Sequence, residues 1–308
     1  MERKTTKNKK LTCAETIKEI TRQHLKNGGV ALGECLSAVG WVGGTVPELT
    51  EDDGLIELSM ADVAGGGIVV GLALAGRRPI YIVRYQGFQW FNAPMIVNYA
   101  AKSKDLWNIP CPVFVRSIAM EGGIGPVASN SHHGIFNRMP GVFICAPMTP
   151  KEYQMAWNHF IDRDDPMYVS EHRRSFGINY EISDKIIENS DITIMAISAT
   201  RLNALEAIKT LDKDGVQCNL INLFWLKPVK NLNKLIEAVD NSKYGGLIID
   251  GDYANGMAKT IAYDVMLRSR KKVNVLALEE RTAGFAPYLD NLPPSSEKIC
   301  TYVKDILK

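Results

Sequence analysis

Two adjacent histidines, His132 and His133, follow the glycine-rich string Gly122-Gly123-Ile124-Gly125-Pro126 and form the chain's only histidine pair. Histidine exchanges protons near neutral pH and, when charged, binds anions, so a pair beside a flexible loop suits either task as well as a structural one. Metal binding is a poor match, because no nearby Cys or i+4 His supplies a second local ligand. Two acids stand in otherwise apolar settings: Glu34 in Gly33-Glu34-Cys35, and Asp62 in Leu58-Ser59-Met60-Ala61-Asp62-Val63-Ala64. Asp62 reads first as a helix N-cap and next as a partly buried carboxylate with a tuned pKa, and one residue can do both. Tyr85, Phe88, Trp90 and Phe91 crowd around Gln86, Gly87 and Gln89. Such a cluster packs a core or offers a ring face to a flat ligand.

The elements that must hold these residues follow from the hydrophobic pattern. Thr12 with Glu15 three residues on forms a capping box that opens a first helix, and Gly28-Gly29 close it. Short apolar runs then alternate with amphipathic stretches. The runs are 29–32, 80–83, 112–115, 142–145 and 167–169, with helical patterns over 92–102 and 151–161. A second cycle has strands over 192–197, 218–223, 246–249 and 273–278 and helices over 204–211, 232–239, 258–267 and 295–307. Continuous apolar runs separated by helices predict parallel sheets covered on both faces. The histidine loop then lies past a strand's carboxyl end, where open α/β sheets bind ligands. Gly65-Gly66-Gly67 lacks both the G-x-G-x-x-G turn and a Walker lysine, and reads as closely packed helix rather than a phosphate loop.

Composition narrows the classes further. Among 308 residues, 36 Lys and Arg face 34 acids, so no global field points to nucleic acid or membrane. Arg3, Lys4, Lys7, Lys9 and Lys10 read as a solvated basic tail. The six cysteines are scattered without a C-x-x-C pair, which predicts free thiols in a reducing compartment, with Cys35, Cys111 and Cys145 as small buried hydrophobes. No run approaches the ~18 apolar residues of a membrane span, and the N-terminus lacks a secretory core. A cytoplasmic location is the expectation.

In order, Gly33-Glu34, the string Asp62-Val63-Ala64-Gly65-Gly66-Gly67-Ile68-Val69-Val70-Gly71, and Ala75-Gly76-Arg77-Arg78-Pro79-Ile80 form a pattern. It resembles the beta subunit of the thiamine-diphosphate-dependent 2-oxo-acid dehydrogenase decarboxylase component. The likeness continues through residues 98–102, the histidine loop, Met139-Pro140-Gly141-Val142, Arg163-Asp164-Asp165-Pro166 and Gly284-Phe285-Ala286-Pro287-Tyr288. It spans nearly all of the chain after the tail. The resemblance implies a transketolase-like α/β fold of two domains with mainly parallel sheets. A flexible tail (1–10) would precede a pyrimidine-binding domain (11–180) and a transketolase C-terminal domain (190–308). It also implies thiamine diphosphate shared between two chains: this chain holds the aminopyrimidine, and an alpha-type partner, in an α2β2 assembly, holds the diphosphate through Mg²⁺. The family's Mg²⁺ signature has no match here, and no metal ligands are expected; Asp250-Gly251-Asp252 reads as a polar strand-to-helix turn.

Carried over position by position, Asp62 stands where the family has a Glu bonded to the pyrimidine ring, and Phe88 where an aromatic stacks on it. Glu34 stands at a second acid near the cofactor, and His132 at a histidine facing the substrate and the reactive carbon. The implied catalytic set is Asp62, His132 and Glu34, and the implied cofactor-binding set is Asp62, Phe88 and Glu34. Asp62 is one methylene shorter than Glu, where a displacement of about 1 Å can cost on the order of 100-fold in rate. Arg84, Tyr85 and Trp90 are bulkier and more basic than the family pattern, which suggests a site altered for a phosphorylated, nucleotide-linked or sugar substrate. Three functions compete. One is decarboxylation of a 2-oxo acid with acyl or aldehyde transfer, for which a lipoyl acyltransferase would be a further partner. Another is the C-terminal half of a split transketolase-like enzyme moving a two-carbon ketol unit between sugars. The third is a non-catalytic assembly partner.

Overall fold

Strand and helix alternate along the chain as the pattern predicts, and a computed structural model describes them for residues 10–308. Of the basic tail at residues 1–10, residues 1–9 lie outside the described residues and Lys10 is exposed. The capping box at Thr12 and Glu15 opens α1 (Cys13–Lys26). The first cycle then contains β1 (Ala31–Glu34), α2 (Ala38–Gly44), β2 (Leu55–Leu58), α3 (Asp62–Leu74), β3 (Ile80–Val83), α4 (Gln89–Met95) and α5 (Ala101–Trp107). It continues with β4 (Phe114–Ala119), β5 (Phe143–Cys145), α6 (Pro150–Ile161) and β6 (Met167–His172). The second cycle has β7 (Ile192–Ile197), α7 (Thr200–Lys213), β8 (Cys218–Leu223), β9 (Trp225–Lys227) and α8 (Leu232–Asp240). It closes with β10 (Gly246–Tyr253), α9 (Met257–Ser269), β11 (Val273–Leu278) and α10 (Ser296–Ile306).

Two sheets result, ordered β2-β1-β3-β4-β6-β5-β9 and β11-β10-β7-β8. Every pairing between these strands is parallel except β5 with β9, which is antiparallel and brings a strand from beyond β8 onto the first sheet. Neither β2 nor β9 is legible in the sequence. Leu55–Leu58 sits in a mixed polar stretch, and Trp225–Lys227 is too short to show a period. The helix predicted over 92–102 is longer, and a π turn at Ile96–Ala100 joins α4 to α5. Pro94 lies just before that turn; its missing N–H and ring disturb the regular α ladder.

One apolar core joins the facing sides of both sheets. It combines Val69, Ile96, Val115 and Phe136 with Met195, Leu223, Ile248 and Met257. Helices α1 and α6 cover the outer face of the first sheet, and α7 and α10 that of the second. Ile178 and Ile182, in the connecting stretch, pack with Met148 and Ala199, so this polar segment is pinned between the halves. All six cysteines are free, and five are buried. The exception is Cys35, which is half-buried with φ of 55°, a correction to its reading as a core residue.

Among the described residues, each buried arginine faces a carboxylate. Arg116 of β4 is 1% exposed. It donates to both carboxylate oxygens of Glu171 on β6, at 2.7 and 3.1 Å. Tyr153 of α6 donates to the same carboxylate at 2.6 Å. Between the halves, Arg201 of α7 donates to both oxygens of Glu152 on α6, each at 2.8 Å. Among the described residues no helix is long and apolar enough to cross a membrane. Arg116→Met is expected to destabilise the chain by about 3–5 kcal/mol, because Glu171 is left buried without its counter-charge. The measurement is the urea midpoint at unchanged slope; a wild-type midpoint would show that Glu171 does not need the arginine.

Candidate active site

The first sheet reverses its winding at β1, with β2 on one side and β3 on the other. Ligands of open α/β sheets bind in the crevice that such a switch leaves at the strands' carboxyl ends. A cavity of about 230 Å³ opens there. Its walls come from the end of β1 (Glu34, Cys35), the stretch after β2 (Met60, Asp62), and β3 with its following turn (Tyr81, Arg84, Tyr85, Phe88). The structure thus brings together three of the four site residues expected from sequence: Glu34, Asp62 and Phe88. A larger cleft of about 780 Å³ lies at the strands' amino ends, beside His24, Arg77 and Trp157, and holds none of the four.

Local structure explains each placement. Asp62 is the first residue of α3, and Ala61, which has no side-chain acceptor, takes the cap position. The N-cap reading of Asp62 is therefore corrected. Glu34 reaches over from β1 to accept the Ala61 N–H at 2.8 Å. Gly65 and Gly66 let α3 pack tightly, Gly65 against the Tyr81 hydroxyl and Gly66 against Asn92 of α4. Burial raises the Asp62 carboxyl above its ordinary value. It raises Glu34 too, where the nearby Asp62 charge adds to burial and the Ala61 hydrogen bond opposes it. Two carboxyls that hold protons more readily than usual, one aromatic face and apolar walls suit a flat heterocycle with a basic ring nitrogen.

His132 lies outside this cavity, between the rings of Trp90 at 6.3 Å and Tyr253 at 6.2 Å. Its Nε2 is 3.1 Å from the Ser129 carbonyl. That contact requires the proton on Nε2 and leaves the lone pair on Nδ1. Burial and then the neighbouring His133 lower the His132 pKa, against the Ser129 hydrogen bond. A neutral ring results at ordinary pH. Two of the loop's glycines pack against the second half: Gly125, with φ of 88°, faces the Phe285 ring, and the Gly123 N–H donates to Asp290 at 3.0 Å.

Of three further features, sequence reasoning missed Gln86 and the burial of Asp250-Gly251-Asp252, and marked Arg84 as a departure without placing it. Gln86 is buried, and its side chain holds the segment before Phe88: Nε2 donates to the Ser170 hydroxyl at 2.8 Å, and Oε1 accepts the His132 N–H at 2.6 Å. An amide among aromatics was the available signal. Arg84 also lines the cavity, and its Nε is buried without a protein partner. Asp250-Gly251-Asp252 is not a strand-to-helix turn but a buried part of β10. Strand pairing and His133 draw it in, as its polarity alone did not reveal.

Comparison with known proteins matches this architecture. The description "Transketolase, pyrimidine binding domain" fits residues 33–178, and "Transketolase, C-terminal domain" fits residues 183–267. The chain belongs to the transketolase-like family. Similar curated proteins include beta subunits of heteromeric enzymes. Pyruvate dehydrogenase E1 component subunit beta of Rickettsia bellii is 28% identical, over 82% of this chain and 83% of that one. The 2-oxoisovalerate dehydrogenase subunit beta of Bacillus subtilis is 28% identical over 71% of each. The beta subunit of the acetoin:2,6-dichlorophenolindophenol oxidoreductase of Cupriavidus necator is 23% identical over 83% of this chain and 81% of its own. In fold, a split-gene transketolase described as an inactive beta4 tetramer superposes with a TM-score of 0.74 at 15% identity, covering 96% of this chain and 98% of its own.

Gly87 is the position where the site tolerates least. A Cβ there would lie 1.5 Å from the Val127 carbonyl oxygen. Gly87→Ala must push the Phe88 turn and the loop before His132 apart, at about 1–3 kcal/mol. Thermal unfolding should register the loss, and an unchanged melting temperature would show that the two segments separate freely.

Proposed function

We propose that this chain is the beta-type subunit of a heteromeric, thiamine-diphosphate-dependent enzyme that decarboxylates a 2-oxo acid and transfers the resulting acyl or aldehyde unit. The observation that carries this reading is the convergence of Glu34, Asp62 and Phe88 on one cavity at the switch point of the first sheet. When bound, thiamine diphosphate supplies an electron sink for carbanion character beside a carbonyl. Phe88 offers a ring face to the pyrimidine. Asp62 holds a proton at its carboxyl for the ring nitrogen, directly or through one water, and its raised pKa favours that protonated form. Glu34 fixes the start of α3, and hence Asp62, through Ala61. His132, neutral beside the cavity, is the proton-exchanging group toward substrate.

The diphosphate and its Mg²⁺ are assigned to an alpha-type partner in an α2β2 assembly. An exposed apolar face beside the cavity supports such a partner: Met60 is 82% exposed, Trp90 60%, Val63 53% and Phe91 50%. Large exposed apolar patches of this kind mark interaction surfaces. The cytoplasm and a lipoyl acyltransferase acceptor belong to the same proposal. Arg84, with its unpartnered Nε, favours a second reading, in which the ligand bears an anionic group and a split transketolase-like reaction moves a ketol unit of a sugar phosphate. If neither activity is present, the fold serves as an assembly partner.

Two measurements test this. The chain alone should not bind thiamine diphosphate and Mg²⁺ tightly in a calorimetric titration, and submicromolar binding without a partner would contradict the shared site. In the assembled complex, Asp62→Asn should abolish exchange of the cofactor's C2 proton followed by NMR, while Asp62→Glu should stay active. Exchange at the wild-type rate in Asp62→Asn would remove Asp62 from the catalytic set.

A further inference from the structure

His133 is fully buried, yet it forms no wall of the cavity. Its Nε2 lies 2.9 Å from one carboxylate oxygen of Asp250 and 3.1 Å from the other. Asp252 brings a carboxylate oxygen to 4.0 Å. Its Nδ1 lies 3.3 Å from the Ser170 hydroxyl. Oxygen partners on both nitrogens suit the doubly protonated ring. The same Ser170 hydroxyl accepts from Gln86 Nε2, and Gln86 Oε1 receives the His132 N–H. Asp252 adds a second tie, accepting the Gly134 N–H at 2.7 Å. A continuous buried chain therefore runs from β10 of the second half, through the histidine loop, to the turn that carries Phe88.

We propose that His133 is a positioning residue, whose clasp by Asp250 across the two halves fixes the loop bearing His132 and, through Ser170 and Gln86, sets it against the Phe88 turn. The consequence for turnover rests on the role proposed for His132 above; the clasp itself does not. The titratable groups around His133 are Asp250 and Asp252 from β10 and His132 on its own loop, with Tyr168 of β6 close enough to Asp252 to feel its charge. Burial opposes a charge on His133, but Asp250 and then Asp252 outweigh it and push the ring from 6.5 up to about 9. A folded value above the unfolded one means that the contribution of protonated His133 to stability is fully present below about pH 6.5 and is lost as pH rises through about 9.

The test is Asp250→Asn in the assembled complex. The amide oxygen can still accept the Nε2–H, while the charge that keeps His133 protonated is gone. Turnover should fall roughly 10- to 100-fold with little change in KM, and its basic limb should move to lower pH. In the full chain alone, histidine-labelled NMR should show His133 titrating at lower pH than in wild type. Asp250→Glu should recover part of the turnover and of the limb. A lower melting temperature with wild-type kcat and pH profile would overturn the proposal, as would an unmoved His133 titration. Should Asp250→Asn not fold, the double variant His133→Gln/Asp250→Asn leaves neither charge unpaired. It must lose the His133-dependent basic limb, and keeping that limb would overturn the proposal. Full turnover in His132→Ala would refute the role given to His132, while the titration of His133, read on the chain alone, would still decide the clasp.

Discussion

A single buried amide organises the site. Gln86 directs Nε2 at the Ser117 carbonyl, the Ser170 hydroxyl and the Glu171 carbonyl, at 3.0, 2.8 and 3.3 Å, and its Oε1 takes the His132 N–H. An amide buried without such partners costs about 1–3 kcal/mol for each group left unmade, so the turn after β3 is held wherever these groups allow. They sit on β4, on β6 and in the histidine loop. Their positions are set in turn by the parallel ladder between β4 and β6, which pairs Ser117 with Ser170. Phe88, two residues on, inherits its place from this arrangement.

Charge is used sparingly but in the same spirit. The Arg116–Glu171, Arg201–Glu152 and His133–Asp250 pairs are all buried on at least one side, and two of them join the halves of the chain. Buried pairs contribute little net stability, since desolvation offsets most of their attraction. Their effect is selective. Any packing of the halves that separates Arg201 from Glu152, or His133 from Asp250, leaves a charge in the core without its partner.

Most of the fold is legible in the sequence because long apolar runs carry their own period. The strands 192–197, 218–223 and 273–278 match the structure residue for residue. Glu34 and Asp62 are legible as acids among apolar neighbours, whereas Phe88 is singled out from its aromatic neighbours only by the resemblance; all three line one cavity. What eludes the sequence is polarity whose partner is distant. Asp250 and Asp252 look like a solvated turn until His133, more than a hundred residues away, is placed beside them. Gln86 looks ligand-facing until β6 arrives. The edge strands β2 and β9 are too short for periodicity to speak, and only pairing defines them.

The antiparallel edge has a consequence for how this chain can be divided. Residues 225–227 complete a sheet whose other strands all lie before residue 173, while the pyrimidine-binding family match ends at residue 178. A fragment cut at that boundary would keep nearly all of its helices but present Ile144 and Cys145 with an open backbone ladder. Bare ladders recruit whatever strand is at hand, including that of a neighbouring copy. The family boundary and the sheet boundary thus differ here: a stretch that holds every strand of the first sheet must run through Lys227.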